Sequence, residues 1–165
     1  MEEENSVRFT LHSPDGDEGF PGNLDVTVTY TLTEENGVRI HYQAKGDQDT
    51  IVNLTNHSYF NLAGHDRKGT IEDHVLWVDA DFFTPKDTDS IPTGELRPVK
   101  GTPFDFTVPK RIGLEIDVED EQLKSAGGYD HNMVLNRQGE GVRKIASVSC
   151  PARCMAMDVY SDLPG

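Results

Sequence analysis

Residues 52–62, Val52-Asn53-Leu54-Thr55-Asn56-His57-Ser58-Tyr59-Phe60-Asn61-Leu62, set amide, hydroxyl and imidazole groups between apolar and aromatic side chains. That mixture suits a sugar, whose hydroxyls need paired donors and acceptors and whose C–H faces need apolar contact. His57 is the one side chain of the segment whose type titrates near neutral pH, so proton transfer would fall to it. A second cluster, Gly127-Gly128-Tyr129-Asp130-His131-Asn132, follows paired glycines that permit a sharp backbone path. Asp130 there has the chemistry to hold ligand hydroxyls. Composition alone leaves plainer readings open for both: a structural histidine in a loop, and an Asx turn after a helix end.

Other patterns carry less. Asp15-Gly16-Asp17-Glu18-Gly19 starts like a calcium loop, but Gly19 takes the place of an acidic ligand and Phe20 that of the turn glycine, so an EF-hand is rejected. His57, His65, Asp66 and His74 lack the spacing that marks a metal site, and no metal is expected. No nucleophile elbow, Walker loop or dinucleotide fingerprint is present.

These groups must be held by a single sandwich-sized domain, since 165 residues leave little room for two. The expected domain spans residues 1–165, with 1–5 as a frayed acidic tail. Lys and Arg number 15 against 29 Asp and Glu, a formal charge of -14 that repels nucleic acid and anionic membranes. No apolar run reaches the ~18 residues of a membrane span. Two cysteines, Cys150 and Cys154, are too few for a disulfide framework, which points to free thiols and a cytoplasmic setting.

The strongest periodicity is at 24–32, where Leu24, Val26, Val28, Tyr30 and Leu32 alternate with polar residues; 38–45 alternates again after Asn36-Gly37. Period two predicts half-buried strands joined as an antiparallel hairpin. Further strands are expected at 51–54, 75–80, 142–149 and 155–160. Prolines and glycines across 83–107 suggest long connections, and only 110–125 is expected to hold a short helix. Strands without alternating helices predict a mainly β fold, antiparallel sheets packed as a sandwich.

At the same residues the sequence resembles the aldose 1-epimerase (galactose mutarotase) family. Residues 52–62 match the family's VNLTNHSYFNL signature, and 15–22 resemble its DGEEGYPG turn. Ile91-Pro92-Thr93-Gly94-Glu95, Gly101-Thr102-Pro103-Phe104-Asp105-Phe106 and Gly128-Tyr129-Asp130-His131-Asn132 follow in the family's order. The resemblance implies a large antiparallel β-sandwich, the mutarotase-like supersandwich, and interconversion of the α and β anomers of free hexoses such as galactose and glucose without a cofactor. It implies that His57 is the general acid at the ring oxygen and that Asp130 binds sugar hydroxyls, with Ser58 and Tyr59 lining the pocket.

The resemblance covers only the central stretch of the family. Its Asn-Arg pair, its His-Gly-Gly segment and its glutamate base have no counterpart here. The expectation is therefore an incomplete sandwich, weakly active or inactive alone, that self-associates or is completed by another chain through exposed edges. The competing expectation is a carbohydrate-binding or interaction module without catalysis. A phosphorylated sugar substrate ranks last, because Arg67, Arg97, Arg111, Arg137, Arg143 and Arg153 are scattered along the sequence.

Overall fold

A computed structural model of the chain describes residues 5–66, 68–136 and 139–165. The chain forms two compact units, Met1–Ser58 and Tyr59–Gly165. The regular structure of the described residues is mostly antiparallel β-strand with little helix, as the alternating patterns require. No helix among them is long and apolar enough to cross a membrane.

The first unit is a three-stranded sheet in the order β1 (Ser6–Ser13), β2 (Leu24–Leu32), β3 (Val38–Gly46). Its register sets Val7, Phe9 and Leu11 opposite Tyr30, Val28 and Val26, which in turn face Ile40, Tyr42 and Ala44. Directly opposed residues share a face, so one side is apolar throughout; the other carries Arg8, Thr29 and His41 and their polar neighbours. Asn36 takes φ 59 in the β2–β3 turn, the left-handed geometry that asparagine tolerates. Strand β1, which the expectations omit, has the same alternation in Val7, Phe9 and Leu11. Of the expected tail, the Asn5 carbonyl accepts the Leu32 N–H at 3.0 Å, while residues 1–4 lie outside the described residues.

In the second unit β4 (Val75–Val78), β5 (Ala80–Phe83), β6 (Arg97–Pro98), β7 (Lys110–Arg111), helix α1 (Glu121–Ala126), β8 (Met133–Leu135), β9 (Arg143–Cys150) and β10 (Met155–Ser161) follow in order. They form a β10–β9–β4–β7 sheet and a β6–β5–β8 sheet. Two buried clusters fill it: Val78, Ala80, Phe106 and Leu135, then Phe83, Val99, Phe104 and Leu123, with Tyr129 and Met133 packed against both. Phe83 and Phe104 stack with centroids 4.3 Å apart. Cys150 is buried and Cys154 exposed, both as free thiols.

One sequence expectation is overturned. Residues 51–54 form no strand, and the whole of 51–61 is largely exposed. Further along, asparagine side chains make local turns: Asn56 Oδ1 accepts from Ser58 N and Asn61 Oδ1 from Ala63 N. The short helix expected within 110–125 is present as Glu121–Ala126. Lys110–Arg111 pair with β4 instead, and the N–H groups of Ile112 and Gly113 go to the carbonyls of His74 and Glu72 at 3.0 and 2.8 Å.

Candidate functional site

His57 and Ser58 end the first unit; Tyr59 and Asp130 belong to the second. His57 lies exposed in the irregular segment after β3. Asn56 shapes its surroundings. Its amide donates to the Tyr30 hydroxyl at 3.0 Å, tying the segment to β2, while its carbonyl accepts from Ser58 Oγ at 2.7 Å. Asn56 thus fixes the residues on either side of His57 to a strand through one amide. Tyr59 opens the second unit with 88% of its surface exposed.

The path from Tyr59 is held at three places. His74, buried, accepts the Leu62 N–H on Nε2 at 3.1 Å. Arg153 donates to the Ala63 carbonyl and pairs with Asp66 at 2.9 Å. Asp66 and His74, weighed above as metal ligands, therefore have structural partners. Among the described residues no group of three His, Cys, Asp or Glu side chains gathers as a metal site would need. The arginines are engaged singly: Arg97 with Glu95 and Glu121, Arg111 with Asp73, and Arg143 with backbone carbonyls. Arg67 and Arg137 lie outside the described residues.

Asp130 sits in the turn between α1 and β8. The Asp120 carboxylate caps α1 by accepting from Gln122 N at 2.8 Å and Leu123 N at 3.1 Å. Gly127, at φ 68, closes the helix in the left-handed region and turns the chain toward Asp130. The Asp130 carboxylate meets Lys86 Nζ at 2.7 Å, and its backbone N–H donates to His131 Nδ1 at 3.3 Å. His131 Nε2 is 3.1 Å from Gln122 Oε1. Since Nδ1 accepts, Nε2 carries the proton and donates, so the ring is neutral. Its surroundings agree: burial holds His131 below the ordinary histidine value, helped by the Lys86 and Arg97 charges and opposed by Asp130 and Asp120. The ring also packs edge-on to Phe83 and Phe104.

A cleft of about 360 Å³ in the second unit is walled by Leu76, Val78, Phe104, Phe106, Ile116 and Met133, with Tyr129 and His131 at its side. Thr70 and Glu72 also line it, and its Tyr129 and His131 are committed. The Tyr129 hydroxyl donates to the Pro103 carbonyl at 3.1 Å, and burial, ahead of Glu115 and Asp120, pushes its pKa up to about 12. Both His131 nitrogens are engaged. Such walls suit apolar groups better than a hexose, and Asp130 is not among them. Lys86, Gln122 and Asn56 are the supporting residues that the sequence reading does not single out.

Comparison with known proteins agrees with these motifs. The chain matches the family model described as Aldose 1-epimerase over residues 1–165. It is 47% identical over 134 residues to an aldose 1-epimerase from Haemophilus influenzae, covering 81% of this chain and 39% of that protein. It is 43% identical over 161 residues to a galactose mutarotase from Sus scrofa, covering 98% and 45%. A galactose 1-epimerase structure from Lactobacillus acidophilus superposes with a TM-score of 0.77 at 35% identity, over 91% of this chain and 43% of that one. The chain thus spans less than half the length of these relatives. With the family match running from the first residue to the last and the antiparallel fold shared, this chain belongs to the aldose 1-epimerase family.

Proposed function

We propose that this chain carries part of the machinery that interconverts the α and β anomers of free hexoses such as galactose and glucose. The observation that carries the reading is the 52–62 motif, with His57 exposed and its neighbours fastened to β2 through Asn56. In this reading His57 gives a proton to the ring oxygen as the C1–O5 bond breaks, while a base takes the proton of the C1 hydroxyl. The open aldehyde rotates about C1–C2 and recloses on its other face, and both protons return. Asp130 accepts hydrogen bonds from sugar hydroxyls, and Ser58 and Tyr59 line the site. No cofactor is required. No residue of this chain is assigned as the base, so the 165 residues alone should be weakly active or inactive, losing a factor on the order of 10²–10⁴ in rate.

The reading takes both units as parts of one sandwich domain, acting in the cytoplasm. It also takes the apolar face bearing Val7, Phe9 and Leu11, each more than half exposed, as a surface that a completing chain or a second copy covers. Polarimetry on freshly dissolved α-galactose tests the activity. A family-length protein containing these residues is expected to accelerate the optical change strongly and the 165-residue chain only slightly. No acceleration by the longer protein, together with saturable galactose binding, would instead favour the non-catalytic carbohydrate-binding module.

A further inference from the structure

Strands β5 and β8 pair antiparallel with Phe82 opposite Val134 and Phe83 opposite Met133, and the pairing continues beyond the strands in the Thr84 N–H to Asn132 carbonyl bond of 3.0 Å. Beyond that bond Lys86 bridges Pro92, and its side chain reaches across to Asp130. Their side chains meet at 2.7 Å. The two ends of the pair differ sharply: the Lys86 side chain is 7% exposed and the Asp130 side chain 69%. A buried ammonium is costly unless a carboxylate is held against it, and Asp130 is the one carboxylate within ion-pair distance of Lys86 among the described residues.

Lys86 is itself fixed. Gln122 Oε1 accepts its backbone N–H at 2.8 Å, and Gln122 Nε2 donates to its carbonyl at 3.1 Å, so a helix side chain grips the peptide on both sides. The same Gln122 oxygen takes the His131 ring proton, and the other ring nitrogen accepts the Asp130 N–H. Asp130 is therefore held by its backbone through His131 and by its side chain through Lys86, and both holds lead back to Gln122. A surface carboxylate tied in this way keeps one rotamer without losing its access to solvent.

We propose that Lys86 is a positioning residue, a buried cation that fixes the Asp130 carboxylate for sugar hydroxyls. The proposal rests on the reading of Asp130 as a hydroxyl acceptor. It also implies that replacing Asp130 does two things at once, removing the acceptor and stranding a buried ammonium.

The test uses the full 165-residue chain with Lys86→Met, Asp130→Asn and the double variant. Galactose is titrated while the amide signals of residues 127–132 are followed by NMR, and melting temperatures are measured in parallel. Lys86→Met should weaken galactose binding roughly tenfold, as loss of a supporting contact does. It should melt close to wild type, since a solvated carboxylate remains. Asp130→Asn should melt lower. Adding Lys86→Met to it should restore much of the melting temperature and none of the binding, a split that a purely structural lysine would not produce. Should Lys86→Met fail to fold, Lys86→Gln carries the same expectations. Equal affinity of wild type and Lys86→Met, or melting losses that simply add in the double variant, would overturn the positioning role alone. Absence of saturable binding by wild type would overturn the hydroxyl-acceptor reading and the inference with it.

Discussion

Gln122 joins one side-chain amide to both polar groups of the Lys86 peptide and to the His131 ring, in a buried position where water cannot replace it. Gln122→Leu keeps the approximate volume but strands the Lys86 N–H and carbonyl. It should cost about 1–3 kcal/mol in urea unfolding, and a loss within error of zero would show that those groups find other partners. His131 supplies a pH dependence. Its folded value lies below that of the unfolded chain, so the unfolded state binds more protons as the solution is acidified. The stability tied to the neutral ring is complete above about pH 6.5 and is lost as pH falls toward the lower, folded value. Protonating Nδ1 would also break the bond from the Asp130 N–H. NMR titration of the ring should give a midpoint below 6.5, with the 128–132 amides shifting at the same pH; a midpoint above 6.5 would contradict the buried, neutral ring.

Among the elements, helix α1 has only six residues and depends on its ends. Asp120→Ala removes the cap accepted by two N–H groups and should cost about 1 kcal/mol. Gly127→Ala forces a Cβ into φ 68 and should cost roughly 1–2 kcal/mol. Thermal unfolding checks both, and melting temperatures equal to wild type would show that the cap and the turn do not limit this helix. The β2–β3 hairpin was legible because its apolar residues alternate strictly and Asn36-Gly37 marks the turn. The short helix within 110–125 is legible, but not its bounds, because the N–H groups of Ile112 and Gly113 bond to His74 and Glu72, partners that local sequence does not reveal. Residues 51–54 pair with no strand despite their apolar residues, since pairing needs a neighbouring strand that local sequence does not supply. His57 and Asp130 stood out through residue type and motif. The Lys86–Asp130 pair did not, since it joins side chains 44 positions apart that only the folded chain brings together.

For the molecule as a whole, a charge of -14 opposes compaction. Raising NaCl from about 10 to about 200 mM shortens the screening length from about 30 Å to under 10 Å and should raise the melting temperature. A fall would mean that the ion pairs outweigh the self-repulsion. The family membership explains why motifs at 15–22, 52–62 and 128–132 occur in one order along the chain, and it leaves the proton chemistry to be measured. The most direct measurement is the mutarotation rate of α-galactose by polarimetry, comparing a family-length protein containing these residues with its His57→Ala variant at equal concentration. The rate should fall on the order of 10²–10⁴-fold with the fold intact; an unchanged rate would contradict the assignment of His57 as the acid.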